Sequence, residues 1–342
     1  MIVVMKPNAT VENIEKVVKK LEEKGFSIHI SEGVNQTVIG AIGDKTGLDT
    51  SEFEVLEGVE KVVLISEPYK LSNRAFHPND TLIELKTKKG KKVVIGGEKI
   101  QMIAGPCSVE GEEQMMRIAK SLSEMGIDLL RGGAFKPRTS PYSFQGLGVE
   151  GLKYLRQAAD EYDMLVVTEL MDLRDLDAVY EHADIIQIGA RNMYNYSLLK
   201  ELGKVDKPIL LKRGLSATIK EFLMSAEYIL SHGNPNVILC ERGIRTFETA
   251  TRNTFDINAI PVLKEKSHLP VCADPSHGTG VRSYVKPIAR AAVAAGADSV
   301  MVEVHYNPEI AKSDAAQTLY LDQFKELLDE VRIIASAVGR TL

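Results

Sequence analysis

From residue 99 onward one pattern recurs eight times: a short apolar run, a polar cluster, then a helical stretch. The runs are IQMIA (100–104), IDLLR (127–131), MLVVT (164–168), DIIQI (184–188), PILLK (208–212), NVILC (236–240), PVCAD (270–274) and SVMVE (299–303). Continuous apolar runs suit strands buried on both faces of a parallel sheet. Helical patterns such as MMRIAKSLSEMG, EGLKYLRQAADEY and IKEFLMSAEYILSHG separate them. Eight such units predict an α/β chain closed into a (β/α)₈ TIM barrel over residues 99–342. A doubly wound open sheet is the alternative. No G-x-G-x-x-G follows the first run, which weakens it.

A barrel takes about 250 of the 342 residues, so a further unit is expected. Residues 1–66 supply it. Strand 2–6, helix 10–24, strands 26–31 and 36–42, a short helix near 49–57 and strand 59–65 give the order βαββαβ, the ferredoxin-like split motif. Thr10 is placed to cap the first helix, with Val11, Ile14, Val17, Val18 and Leu21 on one face and Gly25 ending it. Residues 67–98 read as a connector. In it TLIEL and KVVIG suit a hairpin, with the KTKKGKK lysines in a solvated turn near Lys89 and Gly90.

Nearly every apolar run ends in reactive residues. The clusters are GPCSVEG, RGGAFKPRTSPYSFQG, TE, IGARN, LKRG, CERGIRTFE, DPSHGTG and EVHYNP. Barrel active sites are built at the C-terminal ends of the strands, so the recurrence matters more than any one polar loop. Arg131, Lys136, Arg138, Arg191, Lys212, Arg213, Arg242 and Arg245 lie within or just past these ends. In a chain of net charge −5 they predict a local well for a substrate with at least two anionic groups. One or two should instead pair with Glu169, Glu241 or Asp184, Arg213 and Arg245 first.

Cys107, Asp274, His277, Glu303, His305 and Asp314 follow the first, seventh and eighth runs, which are neighbours in a closed barrel. Cys107 alone reads as a packed thiol and His305 alone as a core histidine. Their convergence on one rim favours a metal site. The mixed donors suit Mn, Fe, Co or Zn. Three cysteines and no sign of secretion argue against a disulfide framework, and Cys240 and Cys272 read as buried apolar residues. No apolar run approaches the ~20 residues of a membrane span. No signal peptide is evident, so the expected location is cytoplasmic. The acidic balance argues against a nucleic-acid partner.

The strings AGPCSVE, LRGGAFKPRTSPYSFQG, IQIGARN, LLKRG, LCERGIRTFE, DPSHGTG and VEVHYNPEIAKSDAAQ closely resemble the 3-deoxy-D-arabino-heptulosonate 7-phosphate (DAHP) synthase family, in the subfamily with an N-terminal ferredoxin-like regulatory domain. The ordered set spans essentially the whole chain. The resemblance implies condensation of phosphoenolpyruvate with erythrose 4-phosphate, the first step of the shikimate pathway. It implies a divalent metal on Cys107, His277, Glu303 and Asp314. It implies phosphoenolpyruvate contacts from Arg131, Lys136, Glu169, Ala190, Arg191, Lys212 and Arg242. It assigns erythrose 4-phosphate to Arg138, Thr139 and Ser140. A proton carrier is needed, Lys136 or a metal-bound water; with Lys136, the ligands Cys107 and His277 complete the expected catalytic set.

The nearest competitor is 3-deoxy-octulosonate 8-phosphate synthase, which uses arabinose 5-phosphate; Lys136–Pro137–Arg138 argues against it. A non-enzymatic phosphate sensor would have to keep the metal and cation set without turnover. For residues 1–66 the resemblance implies an aromatic amino acid effector, tyrosine or phenylalanine, with His29 and Ser31 at its site. His29 alone reads as an ordinary strand residue. A homotetramer is also implied.

Overall fold

The structure is a computed structural model that describes residues 1–32, 36–43, 49–64, 67–136 and 140–342. Two compact units are present: Met1–Asp80 with Glu265–His268, and Thr81–Lys264 with Leu269–Leu342.

In the first unit, β1 (Ile2–Met5), α1 (Val11–Glu23), β2 (Ser27–Glu32), β3 (Thr37–Ile42), α2 (Ser51–Glu54) and β4 (Val59–Val63) follow in order. The strands form an antiparallel sheet ordered β2-β3-β1-β4, the ferredoxin-like topology. Thr10 caps α1 in a reciprocal box with Asn13. Val17 and Leu21 on α1 and Phe53 on α2 are buried against Met1, Val3, Met5, Ile39 and Ala41. Val11, expected on the same face, is 72% exposed, because the buried arc of α1 centres on Asn13, Val17 and Leu21 and Val11 lies beyond its margin. The short helix covers less of the chain than expected, and Ile65 of the expected last strand lies outside the described residues. On the other face Ile2, Val4, Val38 and Phe76 form a second cluster. His29 pairs in register with Gly40 and Ser31 with Val38. Strand alternation therefore puts both on Val38's face, His29 exposed and Ser31 buried.

In the second unit eight parallel strands close a barrel. They are β7 (Gln101–Gly105), β8 (Leu129–Arg131), β9 (Leu165–Glu169), β10 (Ile185–Ile188), β11 (Ile209–Lys212), β12 (Val237–Glu241), β13 (Val271–Ala273) and β14 (Ser299–Glu303). The last strand pairs with the first over Ser299–Glu303 and Gln101–Gly105. Amphipathic helices alternate with the strands, α3 (Glu112–Glu124), α4 (Val149–Glu161) and α7 (Ile219–Leu230) among the longer ones. A hairpin of β5 (Ile83–Lys86) and β6 (Lys92–Ile95) precedes the barrel. Its Ile83, Val93 and Ile95 join Ile103, Leu129, Leu165, Leu210 and Met301 in the barrel core. Gln101, first residue of β7, donates to the Val94 carbonyl at 3.0 Å, so the hairpin lies at the N-terminal ends of the strands.

The hairpin's lysine turn is docked, not merely solvated. Lys88 pairs with Asp160 at 3.0 Å and Lys91 with Asp128. Asp163 accepts from the Thr87 hydroxyl and the Lys89 amide. Cys240 and Cys272 are register partners, fully buried in the apolar core. No helix among the described residues is long and apolar enough to cross a membrane.

Candidate active site

The C-terminal ends of the barrel strands open onto a cavity of about 490 Å³, within the range of small-molecule sites. Several strand ends aim their side chains into it: β8 ends on Arg131, β9 on Glu169 and β11 on Lys212, while Arg242 directly follows β12. β14 ends on the fully buried Glu303. Cys107 follows β7 after the Gly105–Pro106 turn. Gly105 has φ +150°, and a Cβ there would lie 2.0 Å from the Arg131 carbonyl oxygen, so only glycine lets β7 pass β8 this closely. His277 is in the first turn of the short helix α9 (Pro275–Thr279), capped by Asp274. Asp314 takes a left-handed backbone, φ 50°, in the loop after β14. Aspartate tolerates that conformation better than most residues, and such positions gather at functional sites.

One ligand-type atom from each of Cys107, His277, Glu303 and Asp314 lies within 4.8 Å of the other three. A first-row ion with metal–ligand distances near 2.0–2.3 Å needs donors roughly 3.3–4.6 Å apart. Thiolate, imidazole and carboxylate together suit such an ion, so the residues present fit the group. The Cys107 thiol donates to Asp314 Oδ2 at 3.1 Å, and His277 Nε2 lies 3.3 Å from Glu303 Oε1. Burial, with the Glu303 carboxylate adding, pushes the Cys107 thiol up to about 12. Burial also opposes ionisation of Asp314, but His277 and Arg252 outweigh it and hold that carboxyl at about 2.

Beside the quartet, Arg131, Lys136, Lys212 and Arg242 are all buried. Arg131 donates to Glu303 Oε1 at 3.0 Å, and Lys212 to Asp274 Oδ2 at 2.6 Å. Lys136 donates to the Cys107 carbonyl at 2.8 Å and to its sulfur at 3.0 Å. Arg242 Nη1 is buried with no hydrogen-bond partner. Burial, reinforced by Arg252, lowers the Arg242 pKa against the pull of Asp274. A buried guanidinium nitrogen without an acceptor costs about 1–3 kcal/mol.

Glu169, Ala190, Arg191 and Ser140 also line the cavity. A Cβ at Gly189 would lie 2.1 Å from Glu169 Oε1, so the glycine of the IGARN string makes room for that carboxylate. Arg138 and Thr139 lie outside the described residues.

Residues 80–337 match the DAHP synthetase I family. The chain belongs to that family. It is accordingly an enzyme, a transferase of the 3-deoxy-7-phosphoheptulonate synthase class. Residues 1–67 match the DAHP synthase ferredoxin-like domain. The phospho-2-dehydro-3-deoxyheptonate aldolase of Thermotoga maritima is 56% identical over 339 residues, 99% of either chain. The crystal structure of that Thermotoga enzyme, DAHP synthase, superposes with a TM-score of 0.79 at 55% identity, covering 99% of this chain and 98% of that one. The 2-dehydro-3-deoxyphosphooctonate aldolase of Koribacter versatilis is 32% identical, over 73% of this chain and 96% of its own.

Within this DAHP synthase family member, several expectations need correction. Arg213 is a structural cation as expected, held by Glu241 at 2.7 Å and Asp256 at 2.9 Å. Arg245, expected to pair likewise, lines the cavity instead. Asp184 pairs with Arg156 at 2.7 Å. His305 stands apart from the ligand quartet, beside Gln114 at 3.1 Å and stacked on Tyr306. Asp274 touches His277 and Lys212 rather than standing with the four donors. Arg252, Gln187, Asn253 and Ser143 also line the cavity and were missed. Gln187 carried a signal, a lone polar residue inside the apolar run DIIQI. Arg252 carried none, since its loop is polar throughout.

Proposed function

We propose that the chain condenses phosphoenolpyruvate with D-erythrose 4-phosphate and water to give 3-deoxy-D-arabino-heptulosonate 7-phosphate and phosphate, the first step of the shikimate pathway. The carrying observation is that four buried cations line one cavity together with His277 and Asp314, which belong to a cluster of four donors able to hold a metal. In this reading Arg131, Lys136, Arg191, Lys212 and Arg242 hold the carboxylate and phosphate of phosphoenolpyruvate, with Glu169 and Ala190 completing the wall. Arg138, Thr139 and Ser140 take the sugar phosphate. Cys107, His277, Glu303 and Asp314 hold a divalent ion, which when bound supplies Lewis-acid polarisation of the aldehyde oxygen.

The enol carbon forms the new C–C bond to the aldehyde carbon, and the aldehyde oxygen takes a proton from Lys136 Nζ. Water adds to the adjacent cationic carbon and gives up a proton that restores the Lys136 ammonium. The hemiketal then breaks its C–O bond to phosphate, its hydroxyl becomes the ketone, and the hydroxyl proton leaves with the phosphate. The buried cations hold the reactants together and stabilise the departing phosphate.

The test is phosphate release from the two substrates after chelation and after return of Mn, Fe, Co or Zn. Activity lost on chelation and restored by metal is expected; activity indifferent to chelator overturns the metal reading. Arabinose 5-phosphate in place of erythrose 4-phosphate tests the octulosonate alternative, which the lower identity and partial coverage of those relatives already disfavour. Faster turnover of the five-carbon sugar would reverse the assignment.

We further propose that residues 1–66 form a regulatory domain, that residues 67–98 connect it to the barrel at 99–342, and that the assembly is a cytoplasmic homotetramer. Tyrosine or phenylalanine is the effector, with His29 and Ser31 at its site. The match to a DAHP synthase ferredoxin-like domain supports this. A truncated form of the Thermotoga synthase, 52% identical and covering 80% of this chain, is among the solved structures, so a truncated variant is a practical control. Inhibition that persists without residues 1–66 would refute the regulatory reading.

A further inference from the structure

Asp274 is fully buried, with more asked of its carboxylate than a helix cap requires. Oδ1 accepts the His277 backbone N–H at 3.0 Å, the ordinary capping bond. Oδ2 lies 2.7 Å from His277 Nδ1 and 2.6 Å from Lys212 Nζ. One oxygen thus receives the imidazole N–H and the ammonium together. With the proton on Nδ1, the Nε2 lone pair faces the donor quartet, where Glu303 Oε1 lies 3.3 Å away. A metal-ligating histidine commonly gives its other N–H to a carboxylate, which fixes the ring and raises its basicity. The unusual feature is that the same oxygen also holds a cation of the anion cavity.

We infer that Asp274 is a positioning residue that couples anion binding at Lys212 to metal binding at His277. The inference rests on the proposed metal and phosphoenolpyruvate sites. An anion that draws the Lys212 ammonium toward the cavity loosens its hold on Oδ2. The carboxylate then polarises the His277 N–H more fully, and Nε2 becomes a better ligand. The coupling is therefore positive, and by linkage each ligand tightens the other by the same factor.

Asp274→Asn isolates this role. The amide oxygen keeps the cap, while its NH₂ meets two donors where Oδ2 met them as an acceptor. The probes are Co²⁺, followed by the thiolate-to-cobalt absorption band expected from Cys107, and phosphoenolpyruvate, followed by calorimetry with and without Co²⁺. In the parent, phosphoenolpyruvate should raise Co²⁺ affinity by about fivefold or more. In Asp274→Asn, Co²⁺ affinity should fall by about tenfold or more, and the enhancement by phosphoenolpyruvate should vanish.

A parent that binds both ligands without mutual effect overturns the inference. So does an Asn variant with unchanged Co²⁺ affinity and coupling. A parent that binds neither ligand overturns the underlying site reading instead. If the Asn variant fails to fold, Lys212→Gln decides: freeing Oδ2 for His277 alone should raise Co²⁺ affinity by about threefold or more, and an unchanged value overturns the coupling.

Discussion

At the N-terminal ends of the barrel strands, the β5–β6 hairpin sets Ile83, Val93 and Ile95 into an apolar core. Its lysines stay exposed, Lys88 beside Asp160 and Lys91 beside the buried Asp128. At the C-terminal ends, Arg131, Lys136, Lys212 and Arg242 are buried, and Arg242 Nη1 has no acceptor. The same strands supply both ends. The first arrangement lowers free energy through area removed from water, about 1.5–3 kcal/mol for each large apolar side chain. The second takes charges out of water, which costs several kcal/mol per ion before pairing repays it. Stability is therefore concentrated at one end, and the cost of preorganised charge is carried at the other.

Four substitutions test that contrast. Lys136→Ala should lower kcat by about 10²–10⁴-fold while metal content, measured after dialysis, stays near parental. A near-normal kcat would remove Lys136 from the chemistry. Cys107→Ser should weaken metal binding by about tenfold or more with little change in thermal unfolding; metal content that survives chelator would count against the quartet. At the opposite end, Ile95→Ala should cost about 2–5 kcal/mol of unfolding free energy and leave kcat/KM intact at temperatures where the variant is folded. A large loss of kcat/KM there would break the separation of the two ends. Lys88→Ala should change stability by less than about 1 kcal/mol, an effect that fades with added salt. A larger, salt-independent loss would mean that the lysine turn contributes through packing.

The barrel was legible because parallel strands are apolar on both faces, so each wrote a continuous run. The small domain was legible in outline through its helix cap and turn residues, although Val11 escaped burial because the apolar stripe of α1 is wider than the arc, centred on Val17 and Leu21, that meets the sheet. The rim was legible because nearly every apolar run ended in reactive residues. The finer division of labour was not. Asp274 and His277 are three residues apart, and only the capping turn of α9 decides that one faces the quartet while the other supports it. His305 looked equivalent to His277 by residue type, yet its ring is turned toward Gln114 and Tyr306. Pairing choices such as Arg131 with Glu303 join residues 172 positions apart and depend on barrel closure.

That closure also sets an order of events in biosynthesis. Cys107 follows the first barrel strand, whereas Glu303 and Asp314 come with and after the last, and Cys107 meets Asp314 across 207 residues. A growing chain that has made the seventh barrel strand and α9 has all four buried cations of the cavity and two of the four donors, but not yet Glu303 or Asp314. The four-donor cluster comes together only as β14 zips against β7, so uptake of an ion by these donors would report on the moment the ring is sealed.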